Sequence, residues 1–71
     1  MATPMYPVKS SQLSYIGFDD DNNKLYVTFP NGTTYEYDNV PYTTYKELKN
    51  SESVGSYFTR NIKNKYKYKK I

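Results

Sequence analysis

The segment KLYVTF at residues 24–29 alternates without a break. Leu25, Val27 and Phe29 fall on one side, and Lys24, Tyr26 and Thr28 on the other. A period of two over six residues predicts a half-buried β-strand. The preceding SQLSYIGF at 11–18 is rich in aromatic and β-branched residues and predicts another strand, with Ile16 and Phe18 on one face and Tyr15 and Gly17 on the other. Gly17 marks a bulge or a close backbone approach. DDDNN at 19–23 is a turn, because Asp and Asn bond their own backbone and tolerate left-handed conformations. TTYEY at 33–37 reads as the returning strand, with Tyr35 and Tyr37 sharing a face.

The turn between these last two strands decides where Tyr35 and Tyr37 go. Asn31-Gly32 is a strong hairpin signal. A two-residue loop would pair Thr28 with Tyr35 and Tyr26 with Tyr37, opposite the apolar face. A longer loop slips the register by one and sends both tyrosines into the core. Pro30 cannot donate to a ladder and favours the longer loop. The residues alone leave both registers open.

Val40-Pro41 ends the sheet, and proline suits the first turn of a helix. PYTTYKELKN at 41–50 puts Tyr45 and Leu48 on one helical face. A second helix follows Ser53, a plausible N-cap, with Tyr57, Phe58 and Ile62 as its apolar face. Gly55 lies early in that helix. Glycine weakens a helix, so a close approach to another element is expected there. The predicted fold is α+β: a three-stranded antiparallel meander followed by two helices on one sheet face, β-β-β-α-α. Its expected core is Leu25, Val27, Phe29, Leu48, Phe58 and Ile62. Residues 1–9, with Pro4 and Pro7, read as a flexible arm. Residues 10–66 read as the domain and 67–71 as a basic tail; KNKYKYKKI at 63–71, with alternating Lys and Tyr, forms either a short strand or an ordered arm.

Composition narrows the function. The chain has 71 residues, ten of them tyrosine, and lacks Cys, His and Trp. No soft-metal site is expected without Cys or His. The spacing of Asp19, Asp21 and Asn23 imitates a calcium loop. Lys24 stands where that loop needs Gly, and Pro30 where it needs Glu, so no metal is expected. No cofactor motif, paired catalytic carboxylates or glycine-rich phosphate loop is evident, and an enzyme is not expected. No apolar run approaches a membrane span, and MATPMYPVKSS lacks the apolar stretch of a signal peptide. The expected location is a bacterial cytoplasm, or a host cytoplasm if the protein is phage-encoded.

The net charge of +3 is unevenly spread. Residues 1–59 hold four lysines against seven acids, a balance of −3. Arg60, Lys63, Lys65, Lys67, Lys69 and Lys70 give the remainder +6 with no acid. This asymmetry points to an anionic partner. Arg60, Lys63, Lys65, Lys67 and Lys69 are candidate phosphate contacts. Tyr68, with Tyr15 or Tyr26 on the uncovered sheet face, is a candidate base-stacking ring. The bland reading is a solvated tail, with Tyr66 packed back on the domain.

One set of residues resembles a known family. Ser10-Ser11, IGFD at 16–19, LYVTF at 25–29, Gly32, YEY at 35–37, VP at 40–41, Tyr45, Leu48, Ser53, GSYF at 55–58, Ile62 and Tyr66 resemble the KTSC domain. The resemblance spans Ser10–Tyr66; Phe18 stands where a tyrosine is common. That family takes its name from a segment at the C-terminus of some lysyl-tRNA synthetases, and it also occurs as a stand-alone bacterial or phage protein. The resemblance therefore implies RNA binding by association with a synthetase. The expected function is a small non-catalytic module for an anionic ligand, RNA or another nucleic acid first. The alternatives are a protein-interaction or homo-oligomerising domain, and a phage-type protein that sequesters a nucleotide signal.

Overall fold

The structure is a computed structural model and describes residues 3–71. Its elements are β1 (Tyr6–Pro7), β2 (Tyr15–Asp19), β3 (Lys24–Thr28), β4 (Thr34–Tyr37), α1 (Tyr42–Asn50), α2 (Val54–Asn61) and β5 (Tyr68–Lys70). The strands form one antiparallel sheet in the order β1-β2-β3-β4-β5.

The central meander and both helices match the expectation; the count of three strands does not. Each end of the chain adds a strand to an edge of the meander. Tyr6 pairs with Ile16 on one side, and Tyr68 pairs with Tyr37 on the other. The physical reason is the need of β2 and β4 to satisfy their outer N–H and C=O groups. Proline and lysine are residues that blunt a sheet edge, which is why these short strands carry weak strand signals.

The β3–β4 turn resolves the register. The Phe29 N–H donates to the Thr33 carbonyl at 2.8 Å, and the Gly32 N–H to the Phe29 carbonyl at 2.9 Å. Pro30-Asn31-Gly32 is thus a three-residue loop: Pro30 and Asn31 occupy the centre of a turn, and Gly32 follows at φ 91°. This is the second commonest hairpin family, a tight turn plus a left-handed glycine. Val27 then faces Tyr35 and Leu25 faces Tyr37. Both tyrosines therefore lie on the helix-covered face.

The core comprises Leu13, Ile16, Leu25, Val27, Tyr37, Val40, Tyr45, Leu48, Val54, Phe58 and Ile62. Phe29, named as core from sequence, is only partly buried and packs at its margin. Both glycines flagged in the sequence mark close approaches. A Cβ on Gly17 would lie 2.6 Å from the Pro4 carbonyl oxygen and 2.5 Å from Met5 Sδ. One on Gly55 would lie 2.9 Å from Ser10 Oγ. The segment from Pro4 to Gln12 therefore threads past two glycines, one on the sheet and one on α2.

Candidate functional site

Alternation in β5 sorts the basic tail between two surfaces. Tyr68 and Lys70 pair with Tyr37 and Tyr35 and take the helix side; Lys69 pairs with Glu36 and takes the open side. Tyr15 and Tyr26 also lie on the open side, since Tyr15 faces Thr28 and Tyr26 faces Gly17 and Glu36. The eight candidate residues are thus divided. Tyr68 and Lys63 come together on the helix side. Tyr15, Tyr26 and Lys69 sit across the sheet from them. Arg60 lies exposed in the last turn of α2, and Lys65 and Lys67 are exposed between α2 and β5.

On the helix side, Tyr68 is anchored by other rings. Its centroid lies 5.6 Å from that of Tyr35, nearly edge-on, and 5.4 Å from that of Tyr37. Phe58 meets Phe29 and Tyr37 edge-to-face at 5.8 and 5.5 Å. Such geometries suit the ring quadrupole. Phe29, Tyr35, Tyr37, Phe58, Lys63, Asn64 and Tyr68 line a groove of about 250 Å³. Tyr68 stays 59% exposed at its rim. Burial, with Tyr68 and Tyr35 adding to it, raises the Tyr37 phenol to about 12. At neutral pH the Tyr37 ring at the groove floor is therefore uncharged, and the Lys63 side chain is the basic group in the lining.

The open side has a different character. Glu36 is only 8% exposed although no helix covers it. Lys24 Nζ bridges Glu36 Oε1 at 2.6 Å and Asp38 Oδ1 at 2.7 Å, and Lys69 Nζ lies 3.9 Å from Glu36 Oε2. The Asp38 hydrogen bond, then that of Glu36, holds the Lys24 ammonium protonated well above its usual range. Lys24 in turn holds the Asp38 carboxyl below its usual range. The Tyr26 phenol is raised by burial and by the Glu36 and Asp19 carboxylates. This surface carries compensated charge around Tyr26 rather than a free cationic field. Among the described residues there is no cluster of three His, Cys, Asp or Glu side chains fit for a metal, and no helix is long and apolar enough to cross a membrane.

Sequence reasoning missed two features. One is this Lys24–Glu36–Asp38 bridge, which follows from strand parity once the β3–β4 register is known. The other is an aromatic groove beside β1, lined by Tyr6, Phe18, Tyr42 and Tyr45 among others. Its signal is a tyrosine between prolines in Pro4-Met-Tyr-Pro7, inside a stretch read as an arm.

Comparison with known proteins gives this arrangement a family. Residues 9–66 match the KTSC domain family. A solved KTSC domain protein from Yersinia pestis superimposes with a TM-score of 0.92 at 37% identity, covering 99% of each chain. A lysine–tRNA ligase of Trichormus variabilis is 34% identical over all 71 residues, and one of Nostoc sp. is 32% identical over the same span. The chain spans 13% of the length of these ligases. The chain belongs to the KTSC domain family.

Proposed function

We propose that this chain is a small, non-catalytic module that binds single-stranded RNA along the edge formed by β5 and the end of α2. The observation that carries this reading is the Tyr68 ring, 59% exposed at the rim of the aromatic groove that Lys63 also lines. Lys70 shares the strand side of Tyr68, and Arg60 and Lys65 are exposed nearby in sequence. Rings plus cations without a base-reading hydrogen-bond array suit stacking on unpaired bases and neutralising their phosphates. The kinship with segments of proteins named lysine–tRNA ligases supports RNA as the anion. Lys67 and Lys69 contribute less in this reading, because they lie toward Asp38 and Glu36.

Salt titration of binding to a fluorescent single-stranded RNA tests the reading. With three or four phosphates neutralised, log K should fall against log salt with a slope of about −2 to −3. Replacing Arg60, Lys63, Lys65 and Lys70 by glutamine should flatten that slope. Absence of binding at low salt, where attraction is strongest, would remove the proposal.

A further inference from the structure

At the opposite edge of the sheet, the β1 side holds a groove of about 620 Å³, within the range of small-ligand sites. Phe18 and Tyr45 form its floor as a near-parallel stack, with centroids 5.1 Å apart and planes 13° apart. Tyr42 leans on both, 5.9 Å from Phe18 and 6.2 Å from Tyr45. Tyr6 enters from β1. Tyr6 and Tyr42 keep 57% and 48% of their surface in solvent. Four rings thus converge on a space that none of them fills.

The polar groups at this groove are Asp20, Lys49 and Asn50. Lys49 Nζ stands 5.6 Å from the Tyr45 ring centroid, so an ammonium already rests on one wall. Asp20 forms no ion pair among the described residues. It is shared with an adjoining hollow lined by Asp19, Asp21 and Asn22. The Tyr45 phenol is raised by burial first, with Tyr6, Tyr42 and Asp20 adding to it, so the carboxylate is felt inside the aromatic floor.

From these observations we infer that the β1-side groove is a cation-binding aromatic cage, taking the alkylammonium group of a lysine side chain or a polyamine. Ring faces attract a cation through their quadrupole, and Asp20 supplies the countercharge. Lys49 is an internal competitor that a ligand displaces from Tyr45. A phosphate-bearing ligand would need the reverse: attraction to Lys49 and tolerance of Asp20. This inference is independent of the RNA reading, which uses the other sheet edge and the opposite charge.

The test follows the aromatic ring signals by NMR during titration with Nα-acetyl-lysine methylamide, spermidine, acetylglycine methylamide and uridine monophosphate. The expected result is saturable shifts of Tyr6, Tyr42, Tyr45 and Phe18 signals with the lysine amide or spermidine, at about millimolar Kd. The glycine amide should give none. A response to the lysine amide marks a peptide-borne source, and one to spermidine alone a free polyamine; either supports the cage. Asp20→Asn should weaken binding about two- to fivefold, since it removes one exposed charge. Lys49→Ala should tighten it by removing the competitor. Saturable binding of uridine monophosphate that Lys49→Ala abolishes would overturn the inference. So would the lack of any saturable shift with both amines.

Discussion

Tyr68 lies directly opposite Tyr37 in the β4–β5 ladder, with ring centroids 5.4 Å apart. The contact turns a lysine-rich tail into the fifth strand and places an exposed ring beside a buried one. Tyr68→Ala removes the pairs with both Tyr35 and Tyr37, each worth about 0.5–1.5 kcal/mol. Thermal melting should show that loss. Tyr68→Phe should melt near wild type, because among the described residues the Tyr68 side chain is held by ring contacts with Tyr35 and Tyr37 and not by a hydrogen bond of its hydroxyl.

Phe58 is the ring on which α2 closes over the sheet, touching Phe29 and Tyr37 edge-to-face. Phe58→Ala should cost about 3–5 kcal/mol. A small domain has only about 5–15 kcal/mol in total. Denaturant unfolding should therefore show a marginal or unfolded variant. A midpoint close to wild type would show that the α2 face carries little of the core.

Gly17 and Gly55 both accommodate the N-terminal segment, and they should differ on substitution. At Gly17 the obstacle includes the Pro4 backbone, which cannot rotate away. At Gly55 the neighbours are side chains of Ser10 and Gln12, and alanine also brings a helix-propensity gain of about 0.5–1 kcal/mol. Gly17→Ala should destabilise more than Gly55→Ala. It should also abolish hydrogen-exchange protection of the Val8 amide, which bonds the Ser14 carbonyl at 3.1 Å beside β1.

The tyrosines set an alkaline limit. Tyr37 is raised to about 12, and Tyr26, Tyr45 and Tyr57 are also raised, burial being the first cause in each. A phenol with a raised folded pKa keeps its proton when the unfolded chain, near pH ~10, has lost it. The unfolded state then binds fewer protons, and stability falls as pH rises. Melting temperature should hold up to about pH 10 and drop steeply through about pH 12. Tyr37→Phe should soften that drop.

Much of this fold was legible in local pattern. The alternation of KLYVTF, the helical spacing of Tyr45 and Leu48, and the two misplaced glycines each identified an element or a contact. The β3–β4 register was not legible, because Asn31-Gly32 serves two loop lengths and only the Phe29–Thr33 and Gly32–Phe29 bonds choose between them. Strand β1 was hidden, and β5 left open between a strand and an arm, for a different reason. They are two and three residues long, and their partners, not their own composition, make them strands. The candidate cations and rings were chosen by charge and type alone. Their division between two faces depends on the β4–β5 pairing, which joins residues about thirty apart and leaves no local trace.

The central claim is that RNA meets this protein at the β5–α2 edge. Backbone amide and ring NMR shifts on adding a short single-stranded RNA at low salt test it most directly. The account predicts the largest changes at Lys63, Asn64, Tyr68 and Lys70 and on the Phe29 and Tyr35 rings, diminishing as salt is raised. Changes centred instead on Tyr15 and Tyr26, or none at all, would contradict it.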